Sequence, residues 1–177
     1  MSVNEHKQEA PSSVSCMVLT VSDTRNMEND KSGLLMKTLL KKAGHSVVQH
    51  RIVKDDYTEI QACIREAEQN SAIEALLING GTGITFRDTT YEAVSSMLDK
   101  ELPGFGELFR YLSYTKDIGP AAMLSRAIAG VRSTTAIFST PGSQGAVKLA
   151  MEELIVPELS HVMREIYKDL HWNGMGE

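Results

Sequence analysis

The sequence predicts a three-layer α/β/α fold on an open, mostly parallel sheet, and three observations carry that prediction. Short apolar runs alternate with stretches of helical period, as expected of strands joined by crossover helices. The runs at 16–21 and 75–78 are unbroken rather than alternating, which suits strands covered on both faces. Four polar or glycine-rich stretches (Ser22-Asp23, Asp55-Asp56, residues 80–88 and Pro141-Gly142-Ser143) each fall just after a strand. The strand C-termini of such a sheet form one rim, where ligands bind.

Residues 1–13 read as a polar arm with almost nothing to bury, 14–168 as one domain, and 169–177 as a glycine-rich tail. The first strand, 16–21, hands on to Ser22-Asp23-Thr24-Arg25, where Ser22 and Asp23 serve either an ordinary turn or a ligand. Asp30 or Ser32 caps a helix through Ala43, on which Met36, Leu39, Leu40 and Ala43 recur at i, i+3, i+4 and i+7, and Gly44 ends it. Residues 46–53 make a second strand ending at Lys54-Asp55-Asp56. Thr58 then caps a helix striped by Ile60, Cys63, Ile64 and Ala67.

The third strand, 75–78, leads into Asn79-Gly80-Gly81-Thr82-Gly83. A helix spans 90–98, with Thr89 or Thr90 as its cap. Leu102-Pro103-Gly104-Phe105-Gly106 interrupts before another helix through about Tyr114, which places Phe105, Phe109 and Leu112 on one face. Residues 120–126 form a loop or short helix, and 135–139 a strand broken by Pro141-Gly142-Ser143. Val147, Ala150, Met151 and Leu154 mark a closing helix, divided by Pro157 from a last one striped by Leu159, Val162, Met163 and Ile166.

At 177 residues the chain is long enough to bury a real core, and 42% hydrophobic with 23% charged residues fits a soluble globular protein. Eighteen basic against 23 acidic side chains, net charge −5 and no long basic run, argue against a nucleic-acid or anionic-membrane surface. The polar N-terminus is no secretory signal and no run is long enough to span a bilayer, so a cytoplasmic protein is expected. Cys16 and Cys63 lack paired spacing and read as buried thiols. The five histidines are scattered without the spacing of a zinc site.

Gly80, Gly81 and Gly83 let the backbone turn tightly, so that the loop is either a plain turn or a nest of amides aimed at an anion. Its spacing is neither the dinucleotide fingerprint nor the phosphate loop with its lysine. The loop also follows the third strand, whereas a dinucleotide-dependent oxidoreductase places it after the first. Arg87-Asp88 adds a cation and a potential metal ligand a few residues on.

Taken in order, Val21-Ser22-Asp23, Asn79-Gly80-Gly81-Thr82-Gly83, Arg87-Asp88-Thr89-Thr90, Glu101-Leu102-Pro103-Gly104-Phe105-Gly106-Glu107, Met123-Leu124-Ser125-Arg126 and Pro141-Gly142-Ser143 resemble the molybdopterin adenylyltransferase (MoaB/MogA) family. The resemblance runs from about Val14 to Lys168 and implies a molybdopterin-binding-domain fold. It implies that molybdopterin and Mg-ATP react to give adenylylated molybdopterin and pyrophosphate; a non-catalytic molybdopterin carrier is the alternative. The family's catalytic aspartate pair falls on Asp55 and Asp88, which are also the expected Mg²⁺ ligands. Without the resemblance Asp55 reads as a solvated turn residue.

Nucleotide phosphates are expected on Gly80, Gly81, Thr82 and Gly83, with Arg87 either bracing their charge or forming a surface ion pair. Ser22 and Asp23 stand at the same rim. Ser125, Arg126, Pro141, Gly142 and Ser143 are expected on the pterin-phosphate side, Ser143 also suiting a helix cap. Glu107 either reaches the nucleotide or faces solvent. The family assembles as homotrimers or homohexamers, so Phe105, Phe109 and Tyr111 are candidates for an interface or for the chain's own core. Other molybdenum cofactor biosynthesis proteins are the implied partners.

Overall fold

The computed structural model describes residues 10–168. Most of the arm, and the whole of the tail read at 169–177, lie outside the described residues. The chain runs β1 (Ser15–Val21), α1 (Lys31–Lys42), β2 (Ser46–Val53), α2 (Tyr57–Gln69), β3 (Ala75–Asn79), α3 (Thr90–Ser95), β4 (Lys100–Glu101) and α4 (Pro103–Lys116). A 3-10 helix (Gly119–Leu124), β5 (Ile128–Arg132), β6 (Thr135–Thr140), α5 (Gln144–Ala150), a π-helical segment (Met151–Ile155) and α6 (Val156–Tyr167) complete it.

The strands form one sheet in the order β2-β1-β3-β6-β5-β4. β2, β1, β3 and β6 are parallel, and only β5 runs against its neighbours. Side chains alternate across the pleat, so each strand feeds two cores. From β1 and β3, Cys16, Val18, Ala75 and Leu77 enter one core with Met36, Leu40, Phe109, Val147 and Met163 from α1, α4, α5 and α6. Met17, Leu19, Leu76 and Ile78 enter the other with Ile60, Ile64, Ala93 and Val94 from α2 and α3. The three layers expected from unbroken apolar runs are therefore present. Burial pushes the Cys16 thiol up to about 12, as suits an inert buried cysteine.

Register sets the rim. Val21 pairs with Val53, Thr20 with Asn79, and Asn79 with Thr140, so four parallel strands end level. Ser22 N–H donates to Val53 O (2.8 Å) and Gly80 N–H to Thr140 O (3.0 Å), extending the pairing one residue past the strands. Each rim stretch begins from a fixed strand end.

Several expectations need correction. Asp56, not Thr58, caps α2: its carboxylate accepts from Thr58 N–H and Glu59 N–H, both at 2.9 Å, leaving Thr58 inside the first turn. α4 starts at Pro103 itself, where a missing N–H costs nothing, so the supposed interruption is the first turn of the helix. Phe105 and Phe109 are not interfacial; at 9% and 1% exposure they fill the core, Phe105 edge-on to Phe138 at 5.5 Å, and only Tyr111 stays exposed. Burial of such a ring contributes on the order of 2–3 kcal/mol.

β6 lies where the strand at 135–139 is expected, whereas β5 and β4 are strands that the sequence pattern does not distinguish. Gly130 permits their close pairing, since a Cβ there would lie 2.3 Å from Lys100 O. Pro157 stands in the first turn of α6, as expected, and the chain reaches it from α5 through a π-helical turn that lacks the regular i−4 ladder.

Candidate functional site

The glycine loop passes between two carboxylates brought from different strand ends. A Cβ on Gly81 would lie 2.5 Å from Asp55 Oδ2, and one on Gly83 would lie 2.6 Å from Asp88 Oδ2. Gly80 and Gly81 have φ of 103° and 64°, a region that excludes most side chains. Gly80 N–H is spent on Thr140 O, so it is not an available donor. The amides of Gly81, Thr82 and Gly83 have no acceptor among the described residues, and three successive open N–H groups make a small concavity for an anion.

Each carboxylate commits one oxygen to the loop and leaves the other without a partner among the described residues. Asp55 Oδ1 accepts from Thr89 N–H (3.0 Å) and the Thr89 hydroxyl (2.9 Å). Thr89 thus occupies the cap position of α3 without capping it. Asp88 Oδ2 accepts from Thr85 N–H (2.8 Å) and the Thr85 hydroxyl (2.5 Å). Burial first pushes the Asp55 carboxyl upward; the two Thr89 bonds oppose this, and the nearby Asp88 and Asp23 charges add to it. The site carries an excess of negative charge.

Arg87 does not reach the loop. Its guanidinium pairs with Asp23 Oδ2 at 2.5 Å, well exposed, while Asp23 Oδ1 accepts from Asp55 N–H at 3.3 Å. Ser22 Oγ accepts from Thr24 and Arg25 N–H groups, which is turn chemistry.

Arg126 was expected to face a phosphate, yet its donors are taken up by backbone. Nε donates to Thr82 O (3.2 Å), and Nη2 donates to Gly83 O and to Asp88 O (3.3 Å). Nη1 pairs with Glu92, and the guanidinium lies over the Tyr91 ring at 5.1 Å. Arg126 fixes the loop that carries Asp88 and whose Thr89 holds Asp55. Ser125 is half-buried beside it, its hydroxyl accepting from Ala127 N–H at 3.4 Å.

Gly142 meets the glycine loop directly: a Cβ there would lie 3.0 Å from Gly80 Cα. Ser143 caps α5, its Oγ accepting from Ala146 N–H at 3.1 Å. Glu107 is exposed on α4 and makes no hydrogen bond or ion pair to a rim residue among those described.

Sequence reasoning missed the residues that hold this second loop. Arg25 Nη2 donates to Gly142 O (2.8 Å) and Nη1 to Asn79 Oδ1 (3.3 Å), and Ser32 Oγ donates to the same Gly142 carbonyl (2.8 Å). Behind them Asp30 is fully buried, 3.7 Å from Arg25, accepting from the Thr20 hydroxyl (2.6 Å) and Gly33 N–H (2.9 Å) and touching His50 Nε2 (3.0 Å). Arg25 lies in the loop after β1, so the strand-end criterion reaches it; Asp30 and His50 leave no such signal.

The model of a probable molybdopterin binding domain matches residues 17–161. Molybdenum cofactor biosynthesis protein B of Halalkalibacterium halodurans is 62% identical over 169 residues, covering 96% of this chain and 99% of the relative. The Bacillus subtilis protein of the same name is 59% identical over 169 residues, with the same coverage. The chain belongs to the MoaB family. A crystal structure of a molybdenum cofactor biosynthesis protein B superposes with a TM-score of 0.88 at 54% identity, covering 90% of this chain and 99% of that one. Among the described residues, no helix is long and apolar enough to cross a membrane.

Proposed function

We propose that this MoaB protein acts in molybdenum cofactor biosynthesis as a molybdopterin adenylyltransferase. An oxygen of the molybdopterin phosphate attacks the α-phosphorus of ATP, the bond to the bridging oxygen breaks, and pyrophosphate leaves with the electron pair. The observation that carries this reading is the glycine loop held between Asp55 and Asp88. A carrier would have no use for two half-committed carboxylates beside an anion nest.

The donor set fits Mg²⁺, which is bound by one or two carboxylates and completes its octahedron with water and phosphate oxygens. Asp88 would hold it through Oδ1, and Asp55 through Oδ2 or a water. When bound there, the ion would supply positive charge against the triphosphate. The residues themselves perform the remaining work. The Gly81, Thr82 and Gly83 amides receive phosphate oxygens, Arg126 keeps those amides aimed, and Thr89 and Thr85 orient the carboxylates. The Pro141-Gly142-Ser143 loop, in contact with Gly80, is suited to the pterin phosphate.

We further infer a homotrimer or homohexamer. The outer face of α4 and the adjacent 3-10 helix expose Leu108, Tyr111, Tyr114 and Met123 together, an apolar surface typical of interfaces. A monomeric mass at micromolar concentration would contradict it. The product would pass to other molybdenum cofactor biosynthesis proteins.

Mass spectrometry of molybdopterin incubated with ATP and Mg²⁺ tests the reaction. An adenylylated species is expected with the protein and not without it. Binding of molybdopterin with no new species would make the protein a carrier.

A further inference from the structure

An open cleft of about 430 Å³ lies on the outer side of the glycine loop, between the start of α2 and residues 84–88. Its walls include Tyr57, Ile84 and Phe86, and Asp88, Thr89 and Arg126 also line it. We propose that this cleft receives the purine base of the nucleotide, with Phe86 as the stacking surface. The inference rests on the reading of the rim as a nucleotidyl-transfer site.

Phe86 is fully exposed and Ile84 is 67% exposed, so neither residue contributes to the core. Both stand on the one loop that also carries Asp88. An aromatic ring held in water beside a charged site has a free π-face, and every base can stack on such a face.

The rest of the cleft is already fixed. The Tyr57 hydroxyl is 2.9 Å from Ser96 Oγ, which holds that ring at the opposite wall. Arg126 is bound to the carbonyls of Thr82 and Gly83, so cleft and amide nest share a loop that cannot move independently of it. Thr89 links the cleft to Asp55 through the bonds to its carboxylate. A nucleotide with phosphates on the Gly81–Gly83 amides therefore passes Asp88 and has its base beside an unpartnered aromatic ring. The cleft's size suits a small-molecule site.

Calorimetric titration of wild type and Phe86→Ala with two probes, ADP and inorganic tripolyphosphate, both with Mg²⁺, tests this. Phe86 makes no core contact, so the variant's thermal unfolding should match wild type. The expected result is about tenfold weaker ADP binding in Phe86→Ala, on the scale of one base–aromatic stack, with tripolyphosphate unchanged and ADP affinity retained in Phe86→Tyr. Equal ADP affinity in wild type and Phe86→Ala would overturn the base site while leaving the phosphate site intact. Equal weakening of both probes would also overturn it, by making Phe86 a support for the loop. A change in assembly mass on Phe86→Ala with unaltered ADP binding would assign the ring to a second copy of the chain. Wild type that binds neither probe would overturn this inference together with the nucleotide reading on which it rests.

Discussion

The two halves of the rim are each held by an arginine, and they are held differently. On the glycine-loop side Arg126 reaches outward-facing carbonyls of Thr82, Gly83 and Asp88 and balances its charge with the half-exposed Glu92. On the other side Arg25 grips Gly142 O and Asn79 from within, backed by the fully buried Asp30 and by His50. The first arrangement is a clamp on the segment that carries Asp88 and, through Thr89, holds Asp55. The second belongs to a buried polar network whose removal disturbs the fold. The guanidinium groups of both arginines are engaged by the protein itself, which supports the proposal that a divalent cation supplies the positive charge here.

Four substitutions separate these roles. Asp88→Asn should have the largest effect, lowering kcat on the order of a hundredfold or more while leaving thermal unfolding and pterin affinity near wild type, measured by steady-state kinetics and calorimetry. Arg126→Ala comes next. Freeing three carbonyls should cost about 1–3 kcal/mol of stability and at least about tenfold in ATP affinity, and Arg126→Lys should not rescue it, since one ammonium cannot bridge the same carbonyls. Arg25→Ala should weaken molybdopterin binding several-fold without changing the KM for ATP; equal losses on both substrates would mean that the halves of the rim do not act separately.

The smallest effect is on stability, from Asp55→Asn. The Asp55 carboxyl keeps its proton to higher pH in the folded chain than in the unfolded one. Protonation therefore contributes stability that is present in acid and lost as pH rises past the ordinary carboxylate range. Asp55→Asn should melt slightly higher than wild type at neutral pH, and the two curves should converge as the pH falls. A variant less stable at neutral pH would show that the Thr89 hydrogen bonds outweigh the crowding of charge.

The parts of this molecule legible in the sequence are those governed by period and by local chemistry. β1 and β3 are visible because burial on both faces demands unbroken apolar runs, and the stripes of α1 and α2 because one face of each meets a core. The glycine loop is visible because positive φ at Gly80 and Gly81 leaves few alternatives. What stayed hidden depends on residues far apart in the chain. β4 is two residues long and exists only because Gly130 lets it close on β5. For Arg126 nothing local shows that its partners are carbonyls 38 to 44 residues away. The Asp30–His50 contact spans 20 residues and has no motif at all.

The most direct test of the account is pyrophosphate release from Mg-ATP, measured with and without molybdopterin on wild type and Asp88→Asn. Release by wild type only when molybdopterin is present, and its loss in the variant, is the predicted result. Release that ignores molybdopterin, no release under either condition, or full release by Asp88→Asn would contradict a transfer reaction centred on the loop between the two aspartates.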